Sequence, residues 1–97
     1  MQKTTCSRLT ARFEGDVQGV GFRWRAVRLV RERFPQVTGE VRNEFDGSVS
    51  LVAEGAEGDL RRLYACFMGA QFADGIETAR HCYEPVSSRR YEVFSAR

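Results

Sequence analysis

Three glycines lie between a strand-like segment and a helix-like segment at residues 15–23, Gly-Asp-Val-Gln-Gly-Val-Gly-Phe-Arg. Glycine adopts positive φ angles without a steric penalty and lets the backbone come close to a ligand. The first amides of a following helix have no acceptor inside the helix and lie at the positive end of its dipole. The stretch therefore predicts a tight strand-to-helix connection that binds an anion, with Arg23 as the counter-charge.

The composition is that of an ordinary globular protein. The chain has 97 residues, of which 42% are hydrophobic and 29% charged, so we expect one domain over residues 1–97. The net charge of +2 is too small to indicate a nucleic-acid or membrane partner. Residues 1–12 have no apolar signal core, and no run approaches the roughly 18 apolar residues of a membrane span. We expect a cytoplasmic protein without nucleic-acid or membrane partners.

The cysteines and the histidine predict neither a disulfide framework nor a metal site. Cys6, Cys66 and Cys82 form an odd set without a Cys-x-x-Cys spacing, so we interpret them as small hydrophobic residues in a reducing compartment. His81 is the one histidine, and strand alternation directs it and Cys82 to opposite faces. The sequence therefore disfavours a zinc site and a histidine-based triad.

Hydrophobic periodicity predicts five strands and two helices. We expect strands at residues 7–13, 37–42, 48–54, 76–84 and 89–94, with a turn at 85–88 and a loop at 71–75. In the first strand, Leu9, Ala11 and Phe13 share one face. The predicted helices begin at Phe22 and near Ala56, and their apolar faces carry Phe22, Ala26, Leu29 and Val30, and then Leu60, Leu63, Tyr64 and Phe67.

The order β-α-β-β-α-β with a further short strand is typical of a ferredoxin-like α+β sandwich. Two helices then cover one face of an antiparallel sheet. A right-handed β-α-β unit makes its two strands parallel, so their carboxyl ends lie at one edge. We therefore expect the loop that leads to Arg23 and the strand that ends near Asn43 to border one small site.

Residues 15–23, with residues 39–49, Gly-Glu-Val-Arg-Asn-Glu-Phe-Asp-Gly-Ser-Val, resemble the acylphosphatase family. The resemblance covers nearly the whole chain, although Glu40 stands where the family often has tryptophan. It implies hydrolysis of the carboxyl-phosphate bond of small acyl phosphates to a carboxylate and inorganic phosphate. It implies no metal and no cofactor, and we expect a monomer.

The resemblance also implies roles for individual residues. Asn43 orients the attacking water, and Arg23 binds the phosphoryl group. The backbone amides that bind the phosphoryl group with it are those of Gln18, Gly19, Val20, Gly21 and Phe22. We expect Asp16 to point to solvent, because its carboxylate would repel a phosphate.

Elementary chemistry supports so sparse a site. A carboxylate leaving group has a conjugate acid with a pKa of about 4, so no general acid needs to protonate it. Two alternatives remain open from the sequence. The same loop could hold RNA or another phosphate-bearing ligand without catalysis, although the strand at residues 48–54 lacks the aromatic-glycine signature of RNA-recognition motifs. The chain could also be a regulatory domain without turnover.

Overall fold

In residues 6–19, 21–69 and 75–97, which the computed structural model describes, the chain forms five strands and two helices. Their order is β1 (Cys6–Gly15), α1 (Phe22–Arg33), β2 (Thr38–Asn43), β3 (Val49–Gly55), α2 (Glu57–Phe67), β4 (Ile76–Val86) and β5 (Phe94–Ala96). The first five of these seven elements, from β1 to α2, begin within about two residues of the positions that the sequence predicts. In the loop expected at 71–75, only Gly75 lies within the described residues.

The strands form one sheet in the order β4-β1-β3-β2-β5. β1 pairs antiparallel with β3 and with β4, and β2 pairs antiparallel with β3. The four strands β4, β1, β3 and β2 are antiparallel as expected, and the further short strand β5 pairs parallel with β2, so the sheet is mixed at that edge. The predicted ferredoxin-like α+β fold is confirmed.

The core lies between the sheet and the two helices. Leu9, Ala11 and Phe13 are buried on the face of β1 that the alternation predicts. The Phe13 ring lies 5.5 Å from the ring of Phe22 in α1 and 5.7 Å from that of Phe67 in α2. This aromatic group attaches both helices to the end of β1.

The helix faces agree with the periodicity except at three residues. Val27 of α1 is buried although the predicted apolar face omitted it, whereas Leu29 of α1 and Tyr64 of α2 are only partly buried against the core. In β4 the alternation is as expected, because His81 stacks on Tyr64 of α2 while Cys82 faces away from the helices, opposite Thr10. Cys82 is exposed, whereas Cys66 is partly buried and packs against the core.

The chain after β4 differs most from the prediction. β4 continues through Pro85 to Val86 in place of the expected turn at 85–88, and β5 begins only at Phe94. The strand predicted at 89–94 is therefore wrong, and Val93 within that segment is 62% exposed. The cause is a side chain, because the amides of Arg90 and Tyr91 donate to Glu54 Oε1 at 2.7 and 3.2 Å rather than to a neighbouring strand.

Glu54 is a fully buried carboxylate at the end of β3. Its Oε2 accepts hydrogen bonds from Arg8, with Nη2 at 2.7 Å and Nε at 2.9 Å. Burial raises the pKa of Glu54, but the bonds from Arg8 and from the two backbone amides outweigh it, so the pKa lies below its usual value. The charged carboxylate thus fastens the segment after β4 to the sheet.

Replacing Glu54 with glutamine is expected to lower the free energy of unfolding by about 3 kcal/mol, because Arg8 loses its buried counter-charge. The matched control is Glu84→Gln, which removes the exposed carboxylate that lies 3.6 Å from Arg8 and is expected to cost much less. Urea denaturation measures both. Equal losses in the two variants would contradict the role given to Glu54.

The stabilisation by Glu54 is also expected to depend on pH. Because the folded pKa is lowered, the contribution is present above the unfolded glutamate pKa of about 4.3 and is lost as pH falls through the folded value. Denaturation between neutral and acidic pH should show the gap between wild type and Glu54→Gln narrowing below that pH. A constant gap would contradict this linkage.

Candidate functional site

The two segments that the sequence singled out meet at one edge of the sheet. β1 and β2 both run antiparallel to β3, which lies between them, so they are parallel to each other and their carboxyl ends share an edge. The glycine loop leaves β1 at that edge, and Asn43 is the last residue of β2. The predicted proximity of the loop and the end of β2 is confirmed.

Gly19 and Gly21 hold the loop in a conformation that glycine favours. Their φ angles are 79° and 80°, in the left-handed region that L side chains rarely adopt. A Cβ added at either position would meet no heavy atom within 4 Å, so glycine is needed for the backbone conformation and the surface above it is open. Val20, a predicted phosphate-binding residue, lies outside the described residues.

Helix α1 begins directly after this loop. Gly21 is its N-cap residue and supplies no capping side chain, and the first turn contains no acidic residue. The positive end of the helix dipole is therefore left without a carboxylate of its own. Phe22 fixes the position of this end because its ring is buried against Phe13 and Phe67.

Gln18 joins the loop to the hairpin between β2 and β3. Its side-chain Nε2 donates to the main-chain oxygens of Glu44 and Ser48, each at 2.8 Å. Sequence reasoning assigned only the backbone amide of Gln18 and missed this contact, since no periodicity or spacing marks a side chain that bonds to a distant main chain. Both predicted halves of the site are therefore connected through one amide group.

Arg23 lies one residue inside α1 and is partly exposed. Its Nη1 donates to the main-chain oxygen of Arg97 at 2.6 Å, and the amide of Arg97 donates to Val41 in β2 at 2.8 Å. Within the ranges that the structure describes, no Asp or Glu side chain lies at ion-pair distance from Arg23. Its guanidinium is therefore oriented by the Arg97 main-chain oxygen and is not paired with an acidic side chain of those ranges.

Asn43 is exposed and borders a cleft of about 440 Å³, whose lining is Arg42, Asn43, Glu44, Phe45 and Arg97. Its side-chain amide makes no hydrogen bond to the described part of the chain. Since Arg97 lines this cleft and also accepts the hydrogen bond from Arg23, the two predicted catalytic residues have a common neighbour. Asp16 is exposed, as expected.

The acidic residues near Asn43 are held in ion pairs and hydrogen bonds. Glu44 accepts a hydrogen bond from the Ser50 hydroxyl at 2.5 Å and another from Arg42 Nε at 3.2 Å, and these lower its pKa. Glu40 lies 3.7 Å from Arg42 and 3.4 Å from Arg97. The arginines therefore offset the negative charge that would otherwise repel an anionic ligand.

The described ranges contain neither a candidate membrane-spanning helix nor a metal-binding cluster. Neither helix combines the length and hydropathy that a membrane span needs. Among the same residues, no three His, Cys, Asp or Glu side chains are grouped so that they could hold a metal ion.

Comparison with known proteins identifies the family to which the chain belongs. The model of the acylphosphatase family matches residues 9–88. The chain belongs to the acylphosphatase family. This acylphosphatase family member is 55% identical over 53 residues to the acylphosphatase of Paenarthrobacter aurescens, and the match covers 55% of this chain and 54% of that protein. The chain spans about half the length of the curated relatives it matches.

Two solved structures extend the likeness over almost the full length. The acylphosphatase of Bacillus subtilis is 26% identical with a TM-score of 0.70, and the match covers 93% of this chain and 97% of that one. The acylphosphatase of Coxiella burnetii is 27% identical with the same TM-score of 0.70, covering 96% and 94% respectively. The predicted family is confirmed.

Replacing Gln18 with glutamate is expected to loosen the hairpin, because a carboxylate would face the two carbonyl oxygens that Nε2 now binds. Loss of two hydrogen bonds should lower the free energy of unfolding by about 2 kcal/mol. The loss should be larger for Gln18→Glu than for the uncharged control Gln18→Met. Hydrogen exchange at the amides of Glu44 and Gly47, which bond within the hairpin, reads the effect directly. Unchanged exchange in both variants would contradict the bridging role.

Proposed function

We propose that this acylphosphatase family member hydrolyses small acyl phosphates to a carboxylate and inorganic phosphate. The observation that carries the proposal is the convergence of three features at one sheet edge. They are the acid-free N-terminus of α1, the guanidinium of Arg23, which pairs with no Asp or Glu side chain of the described residues, and the side-chain amide of Asn43, which bonds to nothing in the described chain. Together these features can bind a phosphoryl group and orient a nucleophile toward it.

The loop and Arg23 are proposed to bind the phosphoryl group. The open space above Gly19 and Gly21 leaves the backbone accessible, and the helix dipole favours negative charge there. The binding amides would be those of Gln18, Gly19, Val20, Gly21 and Phe22. As charge develops on the equatorial oxygens, Arg23 and these amides would stabilise it more strongly than in the ground state.

Asn43 is proposed to orient the attacking water. A neutral carboxamide is no strong base, but its oxygen accepts a hydrogen bond and its nitrogen donates one, so it can fix a water molecule in one orientation. Water attacks phosphorus, the bond from phosphorus to the bridging oxygen breaks, and the electron pair leaves with the carboxylate. Because that leaving group is stable as an anion near neutral pH, no histidine or other general acid is required.

The remaining expectations belong to the same proposal. Residues 1–97 form one acylphosphatase-like domain whose catalytic unit is a single chain, which the single sheet and single core cluster of the described residues support. The odd set of cysteines supports a cytoplasmic location. A small-molecule substrate is favoured over nucleic acid because Arg8, Arg12 and Arg42 each lie within ion-pair distance of a carboxylate.

Removal of either proposed catalytic side chain is expected to lower kcat/KM for benzoyl phosphate on the order of 10²-fold or more. The variants are Arg23→Ala and Asn43→Ala, and the matched control is Arg28→Ala, which removes an exposed arginine of the same helix that pairs with Glu32. Steady-state release of phosphate gives the rates, and urea denaturation shows that each variant is folded.

Two results would contradict the proposal. If the wild type showed no turnover above the uncatalysed rate, the chain would be a binding or regulatory domain and not an enzyme. A loss of rate in Arg28→Ala as large as in Arg23→Ala would show that net charge, and not the position of Arg23, supports activity.

Removal of divalent metal ions is expected to leave the rate unchanged, since Arg23 and the backbone amides supply the positive potential that a metal would otherwise provide. Benzoyl phosphate hydrolysis before and after dialysis against a chelator measures this. Loss of activity that added Mg²⁺ or Zn²⁺ restored would contradict the metal-independent mechanism.

A further inference from the structure

The sheet has two unequal edges. β5 contains three residues, and a strand this short offers few groups for pairing. β4 at the other edge contains 11 residues and pairs with β1 along one side through the register from Cys6–Val86 to Gly15–Ile76. The sheet order places no strand of the described chain on the outer side of β4, so this edge presents backbone donors and acceptors over most of its length.

On the face of β4 that points away from the helices, Cys82 lies near the centre of the strand. A positive charge lies two residues before it and a negative charge two residues after it. Arg80 and Glu84 flank Cys82 on this face, with their side chains 71% and 56% exposed. Their contacts within the chain are long, 3.7 Å from Arg80 to Glu14 and 3.6 Å from Glu84 to Arg8. Both charges therefore remain accessible to a partner strand.

This charge pattern is self-complementary in one antiparallel register. If two copies of β4 pair about a two-fold axis through Cys82, Arg80 of each copy lies opposite Glu84 of the other. The same register places His81 opposite Tyr83, both on the helix-covered face. Moving the axis to Arg80 would place two guanidinium groups opposite each other, which destabilises the pair.

We propose that β4 is a homotypic interaction edge, through which two copies of this chain join their sheets antiparallel about Cys82. Opposite charges across a strand pair favour this register, and Pro85, which lacks an N–H, limits pairing beyond it. A single strand pair buries little area, so the dimer is weak and forms as concentration rises. Each chain retains a complete catalytic unit, and the monomer expected from the sequence is the dilute state.

The test is sedimentation velocity on the reduced protein over a range of concentrations. Arg80→Glu and Glu84→Arg are each expected to weaken association by about tenfold or more, because either change creates two like-charge pairs across the axis. The double variant Arg80→Glu with Glu84→Arg is expected to restore the dimer. Glu77→Arg, a charge reversal on the same strand outside the proposed pairs, is the matched control and is expected to change little.

The double variant separates association from folding stability. Within one chain it places a carboxylate at position 80 beside Glu14 and a guanidinium at position 84 beside Arg8, so any intramolecular effect of the single variants is retained or increased. The register is supported if the double variant associates again although its free energy of unfolding is no higher than that of the single variants. Three results would overturn the proposal. The wild type could remain monomeric at every concentration, the single reversals could leave the dimer unchanged, or the double variant could fail to restore it.

Cys82 supplies an independent measurement. Opposite residues of an antiparallel pair have Cα atoms about 4.5–5.5 Å apart, within the range of about 4.4–6.8 Å that a disulfide spans. Diamide takes two electrons and two protons from the paired thiols, which leaves one disulfide and the hydrazine product. A covalent dimer that is lost in Cys82→Ser and reduced in Arg80→Glu supports the register, and equal cross-linking in Arg80→Glu overturns it.

Discussion

The packing of Phe13 at the end of β1 is the contact on which the rest of the structure depends. Its ring meets Phe22 in α1 at 5.5 Å and Phe67 in α2 at 5.7 Å, so one side chain of the central sheet positions both helices. The glycine loop begins two residues after Phe13 and ends just before Phe22. Because both ends of the loop are anchored in the same aromatic cluster, its length and direction are fixed, and Arg23 emerges next to the loop it serves.

Polar contacts then bring the second half of the site to the first. Gln18 binds two main-chain oxygens of the hairpin after Asn43, while the main-chain oxygen of Arg97 binds Arg23. Each contact joins a side chain of the loop or helix to a main-chain group of another element. Main-chain acceptors tolerate many side chains at their own positions, so the arrangement depends on the backbone path of the hairpin between β2 and β3 and of the residue after β5 more than on their residue types.

The parts of the fold with a strong local pattern could be predicted from the sequence. Alternation in β1 and helical spacing in α1 and α2 identified the buried faces, and the strand order then placed Asn43 at the edge where the glycine loop leaves β1. The segment after β4 could not be predicted, because its path is set by the buried Glu54 carboxylate, whose partners are 36 and 37 residues away. The side-chain role of Gln18 was missed for the same reason, since local periodicity carries no information about a bond across the sheet.

The hydrogen bond from Arg23 to Arg97 joins residues 74 positions apart in the sequence. During synthesis from the N-terminus, the strand and helix that present Arg23 leave the ribosome long before its carbonyl partner does. Contacts between residues so distant form late in folding, because the chain entropy of closing a long loop must be overcome first. The final orientation of the Arg23 guanidinium is therefore a property of the completed fold and not of the strand and helix that present it.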